Sequence, residues 1–73
     1  MTLDSLNTGS TATVRSIGGA RALRLRLMEL GLVPGTPVTK VRVAPLGDPI
    51  ELTVRSGRLS LRRHEARAIE VVA

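Results

Sequence analysis

The chain has 73 residues, of which 42% are hydrophobic and 23% charged, with a formal net charge of +5 and no Cys, Phe, Trp or Tyr. A chain of this length forms one small domain, so we expect a single domain over residues 1–73 with an aliphatic core. The lack of cysteine excludes disulfides and thiolate metal sites. No apolar run approaches the roughly 20 residues of a membrane-spanning helix, and the first residues do not match a signal peptide.

The first half of the sequence predicts a turn, a strand and one helix. A short turn is expected at Leu3–Leu6, and Ser10–Ile17 has the Thr and Val content of a strand. Ala20–Leu30 consists of Ala, Leu, Arg, Met and Glu, which have high helix propensity. Gly31 follows in the position where a glycine with positive φ ends a helix. We therefore predict the main helix over Ala20–Leu30.

A turn and a second strand come after the helix. Pro34 and Gly35 occupy the two central positions that a type II turn prefers, and Pro37–Ala44 has the composition of a strand. The alternation in this strand is imperfect, because Val38 would lie on the face opposite to the two later valines. A bulge, or a strand covered on both sides, would account for the pattern.

The segment Pro45-Leu46-Gly47-Asp48-Pro49 predicts a rigid loop between two strands. Each proline fixes its own φ and restricts the residue before it, and Gly47 can adopt positive φ. We interpret Asp48 as capping this turn through the backbone of its own loop, although the carboxylate could also meet an ion or a partner amine. Leu46 stands at the tip of the loop and is a candidate for contact with a partner.

Three further strands are expected in the rest of the chain. Ile50–Arg55 alternates apolar and polar residues, Ser56-Gly57 is a two-residue hairpin signal, and Arg58–Leu61 is the return strand. Arg62–Arg67 can form a helical turn before a last strand at Ala68–Val72. Five short strands in so small a chain predict a mainly β fold. We expect a five-stranded barrel that closes its own edges, with one α-helix between strands one and two and the helical turn before the last strand.

The predicted helix has two sides of different character. Four apolar residues recur at the spacing of one helix face and are expected to pack on the barrel: Ala20, Leu23, Leu27 and Leu30. Leu25 and Met28 fall on another side, together with Arg21 and Arg24. Two interpretations stay open for that side. It is a wide buried face or a set of exposed residues without function, or it is a mixed apolar and basic surface that contacts another protein.

Three blocks of the sequence resemble a known family. The blocks are Arg26–Thr36, Val41–Glu51 and Leu59–Ile69, and they keep the order and spacing of the ferrous iron transport protein A (FeoA) family. The resemblance implies an SH3-like barrel and a small cytoplasmic accessory protein of bacterial Fe(II) uptake. It also implies a partner, FeoB, a membrane permease with an N-terminal GTP-binding domain. The residues of the helix-ending turn and of the loop are then structural motif positions: Gly31, Pro34, Gly35, Pro45, Gly47, Asp48 and Pro49.

Catalysis and metal binding find little support in the sequence. His64 is the only histidine and the 6 acidic residues are scattered singly, whereas a tight transition-metal site needs several converging ligands. The chain has neither a nucleophile elbow nor a phosphate-binding loop. We therefore expect no enzyme activity, no metal site and no cofactor.

The sequence thus predicts a non-catalytic regulatory protein that contacts a FeoB-type permease, at its GTP-binding region or its cytoplasmic loops. The candidate contact residues are Arg21, Arg24, Leu25, Met28 and Leu46. Two alternatives stay open: a small basic nucleic-acid-binding barrel, which the absence of stacking aromatics disfavours, and an isolated metal-sensing SH3-like module. The positive charge also suits a position near anionic lipids at the inner face of the membrane. A weak homo-oligomer is left open.

Overall fold

A computed structural model describes residues 1–55 and 57–73 of the chain. Its elements, in chain order, are a 3₁₀ turn at Leu3–Ser5, β1 Thr11–Ile17, α1 Arg21–Glu29, β2 Pro37–Val43, β3 Ile50–Val54, β4 Gly57–Leu61, α2 Arg63–Ala66 and β5 Ile69–Val72. The strands form one antiparallel 5-stranded sheet in the order β4-β3-β2-β1-β5. The predicted mainly β fold with one main helix is therefore confirmed. The predicted hairpin signal falls partly on Ser56, which lies outside the described residues.

Two irregularities interrupt the pairing of the strands. The register between β2 and β3 shifts between Lys40 and Arg42, which agrees with a bulge, the first of the two explanations for the imperfect alternation of β2. A second shift lies between Val14 and Ser16, where β1 pairs with β5. Because a bulge bends its strand and increases the local twist, these two positions help the sheet to curve around a core.

The core is aliphatic and draws on every part of the fold. The largest fully buried side chains are those of Leu3, Leu27, Leu32, Ile50, Leu52, Leu61, Ile69, Val14, Val38 and Val71. In β3 the buried residues alternate with more exposed ones, as the sequence predicts for Ile50–Arg55. In β4 the core-facing residues are Leu61, which is buried, and Leu59, which is half-buried and packs against the core.

The two edges of the sheet differ. At β5, the backbone N–H of Val71 donates to the Met1 carbonyl over 2.8 Å, and Thr2 forms a bridge with Glu70. At the other edge, β4 pairs with β3 and with no further strand among the described residues. The expectation that the barrel closes its own edges is therefore met at β5, by the N-terminus, and is wrong at β4.

A buried lysine lies in the middle of β2, and sequence reasoning missed it. Lys40 shares the core-facing side of β2 with Val38, and its Nζ donates to the carbonyls of Leu6 (2.8 Å) and Asp4 (3.0 Å). Burial lowers the pKa of Lys40 from its ordinary value of 10.5, the nearby Arg63 lowers it further, and Asp4 acts in the opposite direction. The lysine thereby fixes the N-terminal turn to the sheet.

Further polar contacts involve the N-terminal turn and α2, which packs against it. The Asp4 carboxylate accepts one hydrogen bond from the Thr2 hydroxyl and forms an ion pair with Arg67 over 3.5 Å. Glu65 is buried in α2, where its Oε1 accepts from the backbone N–H of Arg62 over 2.8 Å. We call Asp4, Lys40, Glu65 and Arg67 the polar anchor.

Candidate protein-docking surface

The helix α1 turns one side to the core and the other to solvent. Leu27 is fully buried and Leu23 is half-buried against the core. On the opposite side, Leu25 and Met28 keep 45% and 40% of their surface exposed. At about 100° per residue, Arg21 and Arg24 lie on this same side, and both are exposed. We call Arg21, Arg24, Leu25 and Met28 the outer face of α1.

Two residues of the predicted core stripe do not pack on the sheet. Ala20 is exposed because it precedes the helix with extended φ and ψ angles, so helical spacing does not apply to it. Leu30 is exposed because the chain leaves the helix at Gly31, whose φ is 97°. Leu32 is fully buried instead. Leu30 and Val33 are therefore exposed apolar residues after the C-terminal end of α1, which sequence reasoning did not foresee.

The arginines of the outer face have no compensating charge in the described residues. The first turn of α1 holds no acidic residue, and Ala20 makes no side-chain hydrogen bond to the helix N-terminus. Arg21 and Arg24 form no ion pair with a described carboxylate. Positive charge near the positive end of a helix dipole costs about 0.3–1 kcal/mol at an exposed site. The outer face therefore combines uncompensated positive charge with exposed apolar side chains.

A tight turn fixes the C-terminal end of the helix. The backbone N–H of Leu32 donates to the Leu27 carbonyl over 3.1 Å, and that of Gly31 donates to the Met28 carbonyl over 3.0 Å. This is the Schellman arrangement, which requires a residue with positive φ. The type II turn expected at Pro34-Gly35 follows, with a φ of 91° at Gly35 and a 3.1 Å hydrogen bond from the Thr36 N–H to the Val33 carbonyl.

A buried carboxylate of the polar anchor also binds a residue of α1. Glu65 Oε2 forms an ion pair with Arg26 Nη1 of α1, while Oε1 caps α2. The side chain of Glu65 is 5% exposed and that of Arg26 is 61% exposed. One buried carboxylate therefore contacts both helices.

The loop between β2 and β3 presents a separate apolar point. Leu46 is 97% exposed at its tip, inside the turn that Gly47 closes by donating its N–H to the Ala44 carbonyl over 2.8 Å. The prediction that Asp48 caps its own loop is wrong. Its carboxylate accepts instead from the backbone N–H of Arg63 at the start of α2, over 2.9 Å. Arg63 Nε in turn donates to the Gly47 carbonyl over 3.1 Å. The loop is thus held by α2, and the peptide bond before Pro49 is cis.

The structure therefore unites four of the five candidate contact residues. Arg21, Arg24, Leu25 and Met28 share the outer face of α1, whereas Leu46 lies on a different element. Residues 1–55 and 57–73 contain no group of three His, Cys, Asp or Glu side chains placed to hold a metal ion. His64 is exposed on α2. No helix in the same residues is long and apolar enough to cross a membrane.

The match to a family model extends over the whole chain. The model is that of the FeoA domain, and it matches residues 1–73. The chain belongs to the FeoA domain family. The five-stranded sheet with one main helix is the SH3-like fold of this family.

Three relatives show how the FeoA domain occurs elsewhere. A fusion of Fe(2+) transport protein A with the Fe(2+) transporter FeoB, from Porphyromonas gingivalis, is 39% identical over 97% of the chain, which spans 8% of the fusion's length. FeoA of Chlorobium tepidum is 46% identical with a TM-score of 0.92, covering 99% of this chain and 69% of that one. FeoA of Stenotrophomonas maltophilia, solved with zinc and described as a prokaryotic SH3 domain protein, is 37% identical with a TM-score of 0.85, covering 97% and 88%.

Proposed function

We propose that this FeoA domain is a non-catalytic, cytoplasmic accessory module of bacterial ferrous iron uptake that binds a FeoB-type permease. The observation that carries the proposal is the fusion protein of Porphyromonas gingivalis, in which an FeoA sequence and FeoB share one polypeptide. A covalent link holds two parts at a high effective concentration. An FeoA domain that acts on a separate permease needs a binding surface in place of that link.

The outer face of α1 has the composition of such a surface. Protein interfaces are enriched in Met and Arg and are organised around a few buried anchor residues. Leu25 and Met28 would supply the apolar anchors, and Arg21 and Arg24 would pair with acidic residues of the partner. Because neither arginine is paired within the described chain, binding would break no existing ion pair of theirs.

The loop between β2 and β3 would supply a second anchor. Leu46 is exposed on a loop whose backbone is fixed by Asp48 and Arg63. A side chain on a fixed loop loses less conformational entropy on binding than one on a mobile loop. In this proposal the permease contributes its GTP-binding region or its cytoplasmic loops, and the uncompensated arginines also favour a position close to anionic lipids.

The test is a binding titration between the purified FeoA domain and the complete permease of the same organism in detergent, with the nucleotide state varied. Leu25→Asp and Met28→Asp place a charge among the anchors, so each should weaken binding at least about tenfold, which corresponds to about 1.4 kcal/mol. Circular dichroism and the melting temperature should stay those of the unchanged protein, because both side chains already face solvent.

A matched control comes from β5. Val72 has an exposed fraction of 44%, close to that of Leu25, but lies outside α1. Val72→Asp should change the affinity by less than about twofold if the outer face of α1 is the binding surface. Equal losses in all three variants, or no loss in any of them, would contradict the proposed surface. A wild-type domain that does not bind the permease in any nucleotide state would contradict the proposed function.

A further inference from the structure

The uncovered edge of the sheet has the features of a peptide-binding site. β4 is bonded to β3 on one side, and no other described strand pairs with its second side. The described loops and turns also donate no backbone hydrogen bond to Gly57–Leu61 and accept none from it. In an antiparallel ladder, every second residue of such a strand directs its N–H and C=O away from its neighbour. These groups can pair with an added strand.

The core beside β4 is incompletely covered. Leu59 lies opposite Leu52, and both face the core. Leu52 is fully buried between neighbouring strands, whereas Leu59 at the edge is half-buried. A strand added to β4 would place a side chain next to Leu59 on the core side. An apolar side chain at that position would cover the part of Leu59 that now meets solvent.

The other side of β4 is positively charged. Arg58 lies opposite Thr53 in β3, and Arg55 and Arg62 flank the strand. The acidic residue on this part of the sheet, Glu51, forms ion pairs with both Arg42 and Arg58, the second over 3.9 Å, so one carboxylate is shared between two arginines. Arg55 and Arg62 form no ion pair with a described carboxylate. The outward side of an added strand would therefore meet an excess of positive charge.

We propose that the β4 edge binds an extended acidic segment of another protein, which adds a sixth strand to the sheet. Acidic side chains of the segment lie beside Arg58 and the flanking arginines, and the alternate apolar side chain lies beside Leu59. Main-chain hydrogen bonds supply much of the affinity in such complexes, and the alternating side chains supply the specificity. A second copy of this chain fits less well, because pairing β4 with β4 brings together the arginines of both copies.

This site is separate from the outer face of α1, and the proposal stands whether or not that face binds a permease. It gives the domain two attachment points of different kinds. One is a helix face that recognises a folded surface. The other is a sheet edge that recognises an extended chain by its alternating acidic and apolar side chains.

The experiment is an NMR titration of the isotope-labelled full chain with a short synthetic peptide that alternates glutamate with valine. Shifts should concentrate on the amides of Gly57–Leu61, and alternate amides of β4 should exchange more slowly with solvent in the complex. Arg58→Glu replaces an attraction with a repulsion next to the added strand and should weaken binding about fivefold. Arg15→Glu, at an exposed position in β1, should change the affinity by less than about twofold.

Three outcomes would overturn the proposal. Equal binding of a peptide with lysine in place of glutamate would remove the role of charge. Equal binding of a peptide with all glutamates before all valines would show general charge attraction instead of strand addition. Shifts at β4 that depend on protein concentration without any peptide would make a second copy the occupant.

Discussion

The polar anchor and the outer face of α1 use charged side chains in opposite ways. In the anchor, Lys40, Asp4 and Glu65 each bind a partner within the chain. On the outer face, Arg21 and Arg24 have no described acidic partner and lie beside exposed Leu25 and Met28. Charged residues of the anchor thus stabilise this small fold, whereas those of the outer face remain available to another molecule.

The largest expected difference in the free energy of unfolding is between two variants of α1. Leu27→Ala removes a fully buried side chain and should lower the free energy of unfolding by about 2–5 kcal/mol. Leu25→Ala, two positions away on the outer face, should lower it by less than about 0.5 kcal/mol. Urea unfolding followed by circular dichroism measures both values. Similar losses in the two variants would show that the outer face belongs to the core.

Glu65 gives a smaller effect of a different kind. Glu65 is buried, and Glu65→Gln removes the negative charge that holds Arg26. The substitution also weakens the hydrogen bond that caps α2. We expect a loss of about 1–3 kcal/mol in the free energy of unfolding. The control is Glu29→Gln at the exposed end of α1, for which we expect less than about 0.5 kcal/mol. If the two variants unfold alike in urea, the anchor does not depend on this carboxylate.

Lys40 gives a subtler effect, which depends on pH. Because burial and Arg63 lower the pKa of Lys40 in the folded protein, the unfolded chain keeps this proton at pH values where the folded chain has released it. Between the lowered pKa and the ordinary value of 10.5, this lysine therefore makes the free energy of unfolding rise with pH. Below the lowered pKa, the folded and unfolded chains both keep the proton. The cost of burying the charged ammonium then reduces the free energy of unfolding by its full amount.

The measurement compares the unchanged protein with Lys40→Met in urea from neutral pH to about pH 10.5. The difference between their free energies of unfolding isolates the lysine, since other groups are common to both proteins. The unchanged protein should gain stability relative to the variant as pH rises. A constant difference, or one that changes in the other direction, would show that the lysine pKa is not lowered by folding.

Local patterns in the sequence predicted the elements and several of the turns. The alternation in Ile50–Arg55 predicted β3, and the helix formers before Gly31 predicted α1, because these signals arise between residues that are close in the chain. The imperfect alternation of β2 also indicated an irregular strand, with a bulge as one of two explanations. These features need no knowledge of which strands become neighbours.

Contacts between distant segments were the ones that sequence reasoning missed. Lys40 occupies a core-facing position because the carbonyls of Asp4 and Leu6 reach its Nζ. Asp48 binds the backbone of Arg63, 15 residues away. Leu30 is exposed and Leu32 is buried because the chain changes direction at Gly31. Each depends on tertiary packing, which a pattern within one element does not contain.

The attachment of α1 has a consequence for how the domain could respond to a partner. Among the residues of α1, Leu27 is the buried one, while Leu23 is partly covered and Arg26 reaches Glu65. A helix with so few anchoring contacts separates from its sheet at a lower free energy than global unfolding requires. We therefore expect α1 to open locally more readily than the sheet, so that a partner bound to its outer face would also hold the helix in place.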